Sequence, residues 1–163
     1  MTRRLICLDT PQRPWFCMVF VSVALGGCSS TAPDHLGIQQ HALAPCPPSP
    51  NCVASQHPTS DDQAVPALKW PHDHHPNDAL AQLVDDTGGT VQKTDDNYVW
   101  ATYTSSIFRF VDDVEFHYTA DDGVIHIRSA SRIGYSDLGA NRRRVLEMHE
   151  AWPQVSATQG DTR

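Results

Sequence analysis

The sequence predicts a small α+β domain, an antiparallel sheet of about four strands with two helices packed on one face. Three observations predict it: an apolar pattern of helical period near residue 80, alternating β-forming residues between 90 and 129, and a second helical pattern near residue 148. A helix, a run of hairpins and a closing helix bury their apolar faces against one another around one core.

The first helix is predicted to begin after Pro76. Leu80, Leu83 and Val84 recur at i, i+3 and i+4, which places them on one helix face. We expect Asn77 or Asp78 to cap the start, and the pair Gly88-Gly89 to end the helix.

The central part of the chain changes to a period of two, which is typical of strands. Val114, Phe116 and Tyr118 alternate with Glu115 and His117, a pattern that indicates a half-buried strand. Polar, turn-forming residues at 95–97 and 120–123 predict hairpins. The predicted strands are 90–93, 98–104, 114–118 and 124–129.

A second amphipathic helix is predicted over 141–152. Val145, Met148, His149 and Trp152 fall at helical spacing, and Pro153 is expected to end the helix because proline lacks a backbone donor.

The N-terminus has the parts of a secretory signal. Arg3, Arg4 and Arg13 precede an uncharged apolar run at 15–25. This run is too short for a bilayer-spanning helix, which needs about 20 residues. Leu25-Gly26-Gly27-Cys28 resembles the lipobox of bacterial lipoproteins, which implies cleavage before Cys28 and acylation of its thiol. The alternative is an ordinary signal peptide with a chance cysteine beside its cleavage site.

This interpretation divides the chain into four parts: a signal peptide at 1–27, a flexible tether at 28–44, the domain at 45–153 and a disordered tail at 154–163. Ser29 after the lipidated cysteine resembles the sorting signal for the outer membrane. We therefore expect a lipid-anchored protein of the bacterial cell envelope, facing the periplasm.

The charge excludes one class of partner. The chain carries a net charge of −7, and residues 1–27 hold three arginines and one aspartate, so the remainder carries −9. Binding of nucleic acid needs a basic surface, and we expect none.

Of the five cysteines, an even pair remains once the signal is removed and Cys28 is acylated. Cys7 and Cys17 leave with it and Cys28 is acylated, which leaves Cys46 and Cys52 in an oxidising compartment. A disulfide between them is the expected outcome.

Long ordered segments of this chain resemble the family of domains of unknown function numbered 1499. The segments are 45–53 (PCPPSPNCV), 108–116 (FRFVDDVEF) and 125–142 (IHIRSASRIGYSDLGANR). The resemblance spans most of 45–152 and sharpens the fold, but it implies no activity because the family has none to transfer. The patch His72-Asp73-His74-His75 departs from the family pattern.

The most distinctive chemistry is a set of arginines and hydroxyl groups in an acidic protein. Such a set is a candidate site for an anionic ligand, a lipid head group, glycan or peptidoglycan carboxylate, because the arginine fork binds phosphate and carboxylate. The alternative is a structural network in which Asp112, Asp113, Glu115 and Asp137 neutralise the arginines. The candidate ligand residues are Arg109, Arg128, Ser129, Ser131, Arg132, Asp137, Asn141 and Arg142.

Strand alternation places Arg128 on a face with Val124 and His126, opposite Ile125 and Ile127. The sequence leaves open which of the two faces the helices cover. It also leaves open whether His117 and His126 meet across two strands.

No cofactor is expected, and catalysis has little support in the sequence. Motifs of common hydrolases, metalloproteases and phosphate-binding loops are absent from it. His72, His74 and His75 are a weak candidate for a metal site, since imidazole binds several transition metals, but a polar linker is the plainer interpretation. Three functions follow in order: an anion-binding lipoprotein, a structural or protein-interaction lipoprotein, and an unrecognised hydrolase.

Overall fold

The protein is described here by a computed structural model, which covers residues 31–71 and 74–160. The predicted signal peptide, the predicted lipidation site Cys28, and His72 lie outside the described residues. The helices are α1 (Asn77–Asp86) and α2 (Ala140–Gly160), with a short 3-10 helix at Asp61–Gln63. The strands are β1 (Ile38–Gln39), β2 (Ala42–Leu43), β3 (Cys52–Ala54), β4 (Leu68–Lys69), β5 (Thr90–Asp95), β6 (Tyr98–Thr104), β7 (Val111–Thr119) and β8 (Val124–Ser131).

The main sheet has six strands in the order β3-β8-β7-β6-β5, and β4 pairs with the same edge of β8 as β3 does. All of these strand pairs are antiparallel. The prediction of an α+β fold with an antiparallel sheet and two helices is confirmed, but the count of about four strands was too low. The additional strands β3 and β4 have three and two residues, too few to show a period of two in the sequence.

The two helices lie on one face of the sheet and bury its apolar side chains. Leu80 and Leu83 of α1 and Met148 of α2 are at most 1% exposed and belong to one core with Phe116 and Ile127 of the sheet. Removing such side chains from water is the main force that stabilises a domain of this size. The apolar periodicity of both helices therefore predicted their buried faces correctly.

The ends of the helices differ from the prediction in two places. Pro76 is the first flanking residue of α1 and no side chain caps the helix, because the Asn77 amide donates instead to the carbonyl of Asp95 at 3.0 Å. Helix α2 continues through Pro153 to Gly160, so residues 154–160 are helical rather than a disordered tail. Val155 is buried in the core, so the packing of α2 continues beyond the proline.

The opposite face of the sheet is also covered, in part by a hairpin formed by β1 and β2. Leu43 and Ala44 are buried there, although residues up to 44 were predicted to form a flexible tether. Strand β7 is consequently buried on both faces over residues 112–118, and the predicted half-buried strand was wrong for this reason. The sequence of the hairpin has no apolar pattern long enough to indicate a packed element.

Cys46 and Cys52 form the predicted disulfide, with Cα atoms 5.6 Å apart. Cys52 begins β3 and pairs with Ala130 of β8, so the bridge fastens the proline-rich loop to the edge of the sheet. Of the helices in the described part of the chain, none has both the length and the hydrophobicity needed to cross a bilayer.

Candidate functional site

Three largely buried ion pairs join β7 to β8, to the residue that follows it and to α2, and they use two of the four arginines predicted as ligand residues. Strand alternation divides them between the two faces of the sheet. Two pairs lie on the face covered by the β1–β2 hairpin, and the third lies on the face covered by the helices. The pairs are Arg128 with Glu115, Arg132 with Asp113 and Arg144 with Asp112.

Arg128 and Glu115 lie directly opposite each other on β8 and β7. The Arg128 Nη1 atom donates to Glu115 Oε2 at 3.1 Å, and the two side chains are 3% and 0% exposed. The other carboxylate oxygen of Glu115 accepts bonds from the Tyr98 hydroxyl at 2.9 Å and the Gly37 backbone N–H at 2.8 Å. This fully buried carboxylate therefore has three donors, which offset much of the cost of removing it from water.

The same carboxylate changes the acidity of its neighbour. Burial, together with the negative charge of Glu115 and the bond to it, raises the pKa of the Tyr98 hydroxyl above its usual range. Tyr98 thus stays protonated and serves as a donor throughout the physiological pH range.

Arg132 and Asp113 form a bidentate pair. The Arg132 Nε and Nη2 atoms donate to the two carboxylate oxygens, each at 2.8 Å, and the indole N–H of Trp100 donates to Asp113 at 2.9 Å. The bond to Asp113 raises the pKa of the Arg132 guanidinium further. Parallel bonds of this kind are the strongest form of arginine–carboxylate contact and fix the orientation of both groups.

On the helix face, Arg144 of α2 donates to Asp112 of β7 at 2.6 Å and to Ser129 Oγ at 3.0 Å. Its guanidinium lies over the ring of Tyr103, 4.6 Å from the ring centre. The contact with an aromatic face adds a cation–π attraction to the ion pair. Arg144 therefore docks the start of α2 onto two strands of the sheet.

Asn141 is fully buried beside this pair and connects three parts of the chain. Its side-chain oxygen accepts from Ser129 Oγ at 2.6 Å, and its amide nitrogen lies 3.0 Å from the Asn51 carbonyl and 2.9 Å from Ser131 Oγ. Asp137 caps the start of α2 by accepting the backbone N–H of Asn141 at 2.7 Å. Four residues predicted as ligand residues thus hydrogen-bond to one another within the fold: Ser129, Ser131, Asp137 and Asn141.

The remaining predicted residues lie apart from this network. Arg142 donates to the backbone carbonyls of Asp62 and Ala64, the latter at 3.1 Å. Arg109 is exposed in the connection between β6 and β7, where its φ of +58° places it in the left-handed region. The eight predicted residues therefore do not converge on one ligand position.

A cleft of about 620 Å³ opens beside the two ion pairs on the hairpin face. Arg128, Arg132 and Asp113 line it, together with His35 and Asn51. The Arg128 Nη2 atom lies 3.3 Å from His35 Nε2, and its Nε atom is buried without a hydrogen-bond partner in the described structure. This arrangement is the nearest the described residues come to a ligand site for an anion.

His117 and His126 are opposite each other on β7 and β8, with ring centres 6.4 Å apart. Burial lowers the pKa of both imidazoles. His126 and His41 lower the pKa of His117 further. For His126, Asp122 opposes the shift and His57 adds to it. Within the described residues, no group of three or more histidine, cysteine or acidic side chains is arranged to hold a metal ion.

Sequence reasoning missed several partners of the network, namely His35, Gly37, Asn51, Tyr98, Trp100 and Tyr103. Tyr98 could have been predicted from the sequence, because strand alternation across β6 and β7 places it on the same face of the sheet as Glu115. Gly37 is 78 residues from Glu115 along the chain, and no local pattern indicates that contact.

The fold and the network together define a small α+β domain stabilised by a disulfide and by buried arginine–carboxylate pairs. The model of the family described as "Protein of unknown function (DUF1499)" matches residues 42–151, well over half of the chain. The chain belongs to this family. Comparisons with curated proteins and with solved structures gave no match.

Proposed function

We propose that this chain is a lipid-anchored, non-enzymatic protein of the bacterial cell envelope, with a structural or protein-interaction role. The observation that carries this proposal is that the buried arginines are each paired with a carboxylate of the same chain. The arginine set is then a means of holding β7, β8 and α2 together, and the outer surface of the domain is what contacts partners.

Charge balance supports this role over anion binding. Arg128, Arg132 and Arg144 each face one carboxylate at 3.1 Å or less, so each pair is neutral. A phosphate or carboxylate ligand that took the place of one of these carboxylates would leave a buried acidic group unpaired, at a cost of several kcal/mol. Among the described residues, Arg142 lies outside these pairs and donates to the backbone carbonyls of Asp62 and Ala64.

Anion binding in the cleft is the second candidate, and one observation favours it. The buried Nε atom of Arg128 has no hydrogen-bond partner in the described structure, and Arg128 lines the cleft. A ligand that accepted a bond from Nε would remove this deficit without breaking the pair with Glu115. A small anion would suit such a position better than a large one.

The carboxylates of the two ion pairs beside the cleft give little support to a hydrolase. A general acid or base needs a lone pair or proton that is accessible to substrate. Asp113 and Glu115 instead accept bonds from arginine, tryptophan, tyrosine and backbone donors at 2.8–3.1 Å. Their electron pairs are engaged in the fold.

The membrane anchor is tested with Cys28→Ser, compared with Cys7→Ser in the predicted signal as a control. The proposal expects the native chain and the Cys7 variant to fractionate with the membrane, and the Cys28 variant to be released or to remain uncleaved. A Cys28→Ser chain that is processed and membrane-bound like the native one would contradict the anchor.

The role of the domain is tested by crosslinking in whole envelopes, followed by denaturing purification and mass spectrometry. The native protein is compared with the double variant Arg128→Met/Glu115→Gln, which removes the charges of one pair and retains the outer surface. The proposal expects the same protein adducts from both. Adducts lost only in the double variant would indicate that the cleft itself is the binding site.

A further inference from the structure

Six large apolar side chains are exposed in two loops at one end of the main sheet. The first loop, 105–110, connects β6 to β7, and the second, 132–139, connects β8 to α2. Leu138, Ile107 and Tyr135 are 77–87% exposed. We call these two loops the apolar end; its exposed apolar residues are Ile107, Phe108, Phe110, Ile133, Tyr135 and Leu138.

The two loops are neighbours because the strands they extend are paired. Asp112 near the start of β7 lies opposite Ser131 at the end of β8, and the Arg132 backbone N–H donates to the Val111 carbonyl at 3.2 Å. The rings of Phe108 and Phe110 stack with their centres 5.6 Å apart. The exposed side chains therefore form a group, whereas isolated exposed apolar residues are common and have no special meaning.

The two ends of the sheet differ in charge, since the far end is acidic and the apolar end is close to neutral. The far end, where β5 and β7 end, holds four aspartates, of which Asp95 is paired with Lys93 at 2.6 Å: Asp95, Asp96, Asp121 and Asp122. In the loops of the apolar end Arg109 balances Asp137, because the charge of Arg132 is already paired with Asp113. An anionic surface would thus repel the far end more strongly than the apolar end.

The described part of the chain begins close to the same end. Pro33 lines the cleft together with Ser131 and Arg132, the residues at which the second loop begins. Cys28 precedes Pro33 by five residues, a distance that the chain spans with at most about 18 Å. Acyl chains on Cys28 would therefore hold the bilayer surface within reach of the apolar end.

We propose that the apolar end is a membrane-docking surface, which inserts its aromatic and aliphatic side chains into the interfacial region of the bilayer that holds the acyl chains. This inference rests on the lipid anchor proposed above. Aromatic rings and leucine are the side chains that favour this region, and a nearby arginine binds the phosphate groups. The insertion fixes the orientation of the domain, with the acidic turns directed away from the lipid.

The test compares two added tryptophans in the full acylated chain, purified in detergent and reconstituted into vesicles of phosphatidylethanolamine and phosphatidylglycerol. Phe108→Trp places the probe in the apolar end, and the control Ala120→Trp places it in the exposed turn after β7 at the far end. Phospholipids brominated near the glycerol quench tryptophan only within the bilayer. The emission of the native tryptophans is subtracted with the unmodified protein.

The expected result is that brominated lipid removes most of the emission added by Phe108→Trp and leaves that of Ala120→Trp unchanged. Equal, weak quenching of both variants on vesicles that hold the acylated protein would overturn the docking surface and leave the anchor intact. An intact mass without acyl chains on Cys28 would overturn both. A photoreactive residue at position 108 that crosslinks to a protein in cells would assign the surface to a protein partner and also overturn the inference.

Discussion

Arg128 and Glu115 face each other at the centre of the sheet, with 3.1 Å between Nη1 and Oε2, and neither side chain is more than 3% exposed. Glu115 also receives the Tyr98 hydroxyl and the Gly37 N–H, so one carboxylate connects β6, β7, β8 and the segment before β1. The pair is thus a structural centre for the face that the β1–β2 hairpin covers.

Replacing Arg128 alone is expected to be much more damaging than replacing both members of the pair. Arg128→Met leaves the Glu115 carboxylate buried without its counter-ion and should lower the free energy of unfolding by about 3–5 kcal/mol. Arg128→Met/Glu115→Gln should recover most of that loss, since the glutamine oxygen still accepts from Tyr98 and Gly37. Urea unfolding measures the free energy of unfolding of both variants. Equal decreases in the two would contradict a structural role of the Arg128–Glu115 pair.

Asn141 is expected to be the most sensitive polar residue at the start of α2. Asn141→Ala removes the acceptor of the Ser129 hydroxyl, together with one of the bonds to the Asn51 carbonyl and one of those from Arg144, and should lower the free energy of unfolding by about 2–3 kcal/mol. The control Arg143→Ala removes an exposed side chain, which donates to the Leu138 carbonyl, and should cost less than about 1 kcal/mol. Similar losses in the two variants would argue against the Asn141 connection.

Stability is expected to fall on acidification because of His117 and His126. Burial lowers the pKa of each below the usual value of 6.5, so the unfolded chain binds protons at a pH where the folded chain does not. The histidine contribution is fully present above pH 6.5 and is lost as the pH falls toward the folded-state pKa. The groups that face them are His41, His57 and Asp122.

The double variant His117→Gln/His126→Gln should accordingly show a shallower decline in melting temperature between pH 7 and pH 5, a range that includes the usual histidine pKa of 6.5. The matched control His75→Gln changes an exposed histidine and should keep the native slope. The interpretation fails if the double variant retains the full pH dependence of the native protein.

The disulfide is expected to make a modest contribution. The bridge closes a loop of seven residues that includes three prolines, and the loss of loop entropy it imposes on the unfolded chain corresponds to about 2 kcal/mol. The prolines already restrict that loop, which reduces the gain. Cys46→Ala/Cys52→Ala should therefore fold, with a lower melting temperature; failure to fold at all would show that the bridge has a larger role.

The elements with a long repeating pattern were predictable from the sequence. Leu80, Leu83 and Met148 indicated both helix faces, and the alternation along β7 and β8 placed Arg128 opposite Ile127. The edge strands and the β1–β2 hairpin were not predictable, because two or three residues cannot display a period. For the site, the sequence indicated the arginines and the acidic residues that pair with them. Contacts such as that of Gly37 with Glu115 depend on tertiary structure and were not predictable.

The central claim is that the arginines serve the fold of a lipid-anchored protein, and native mass spectrometry of the protein purified gently from its own membranes tests it most directly. We predict the mass of the chain from Cys28 onward plus acyl chains, two hydrogens short for the Cys46–Cys52 bridge, with no bound ligand. A reproducible noncovalent adduct that Arg128→Met/Glu115→Gln abolishes, while the control Arg143→Ala keeps it, would contradict the claim and assign the cleft to an anionic ligand.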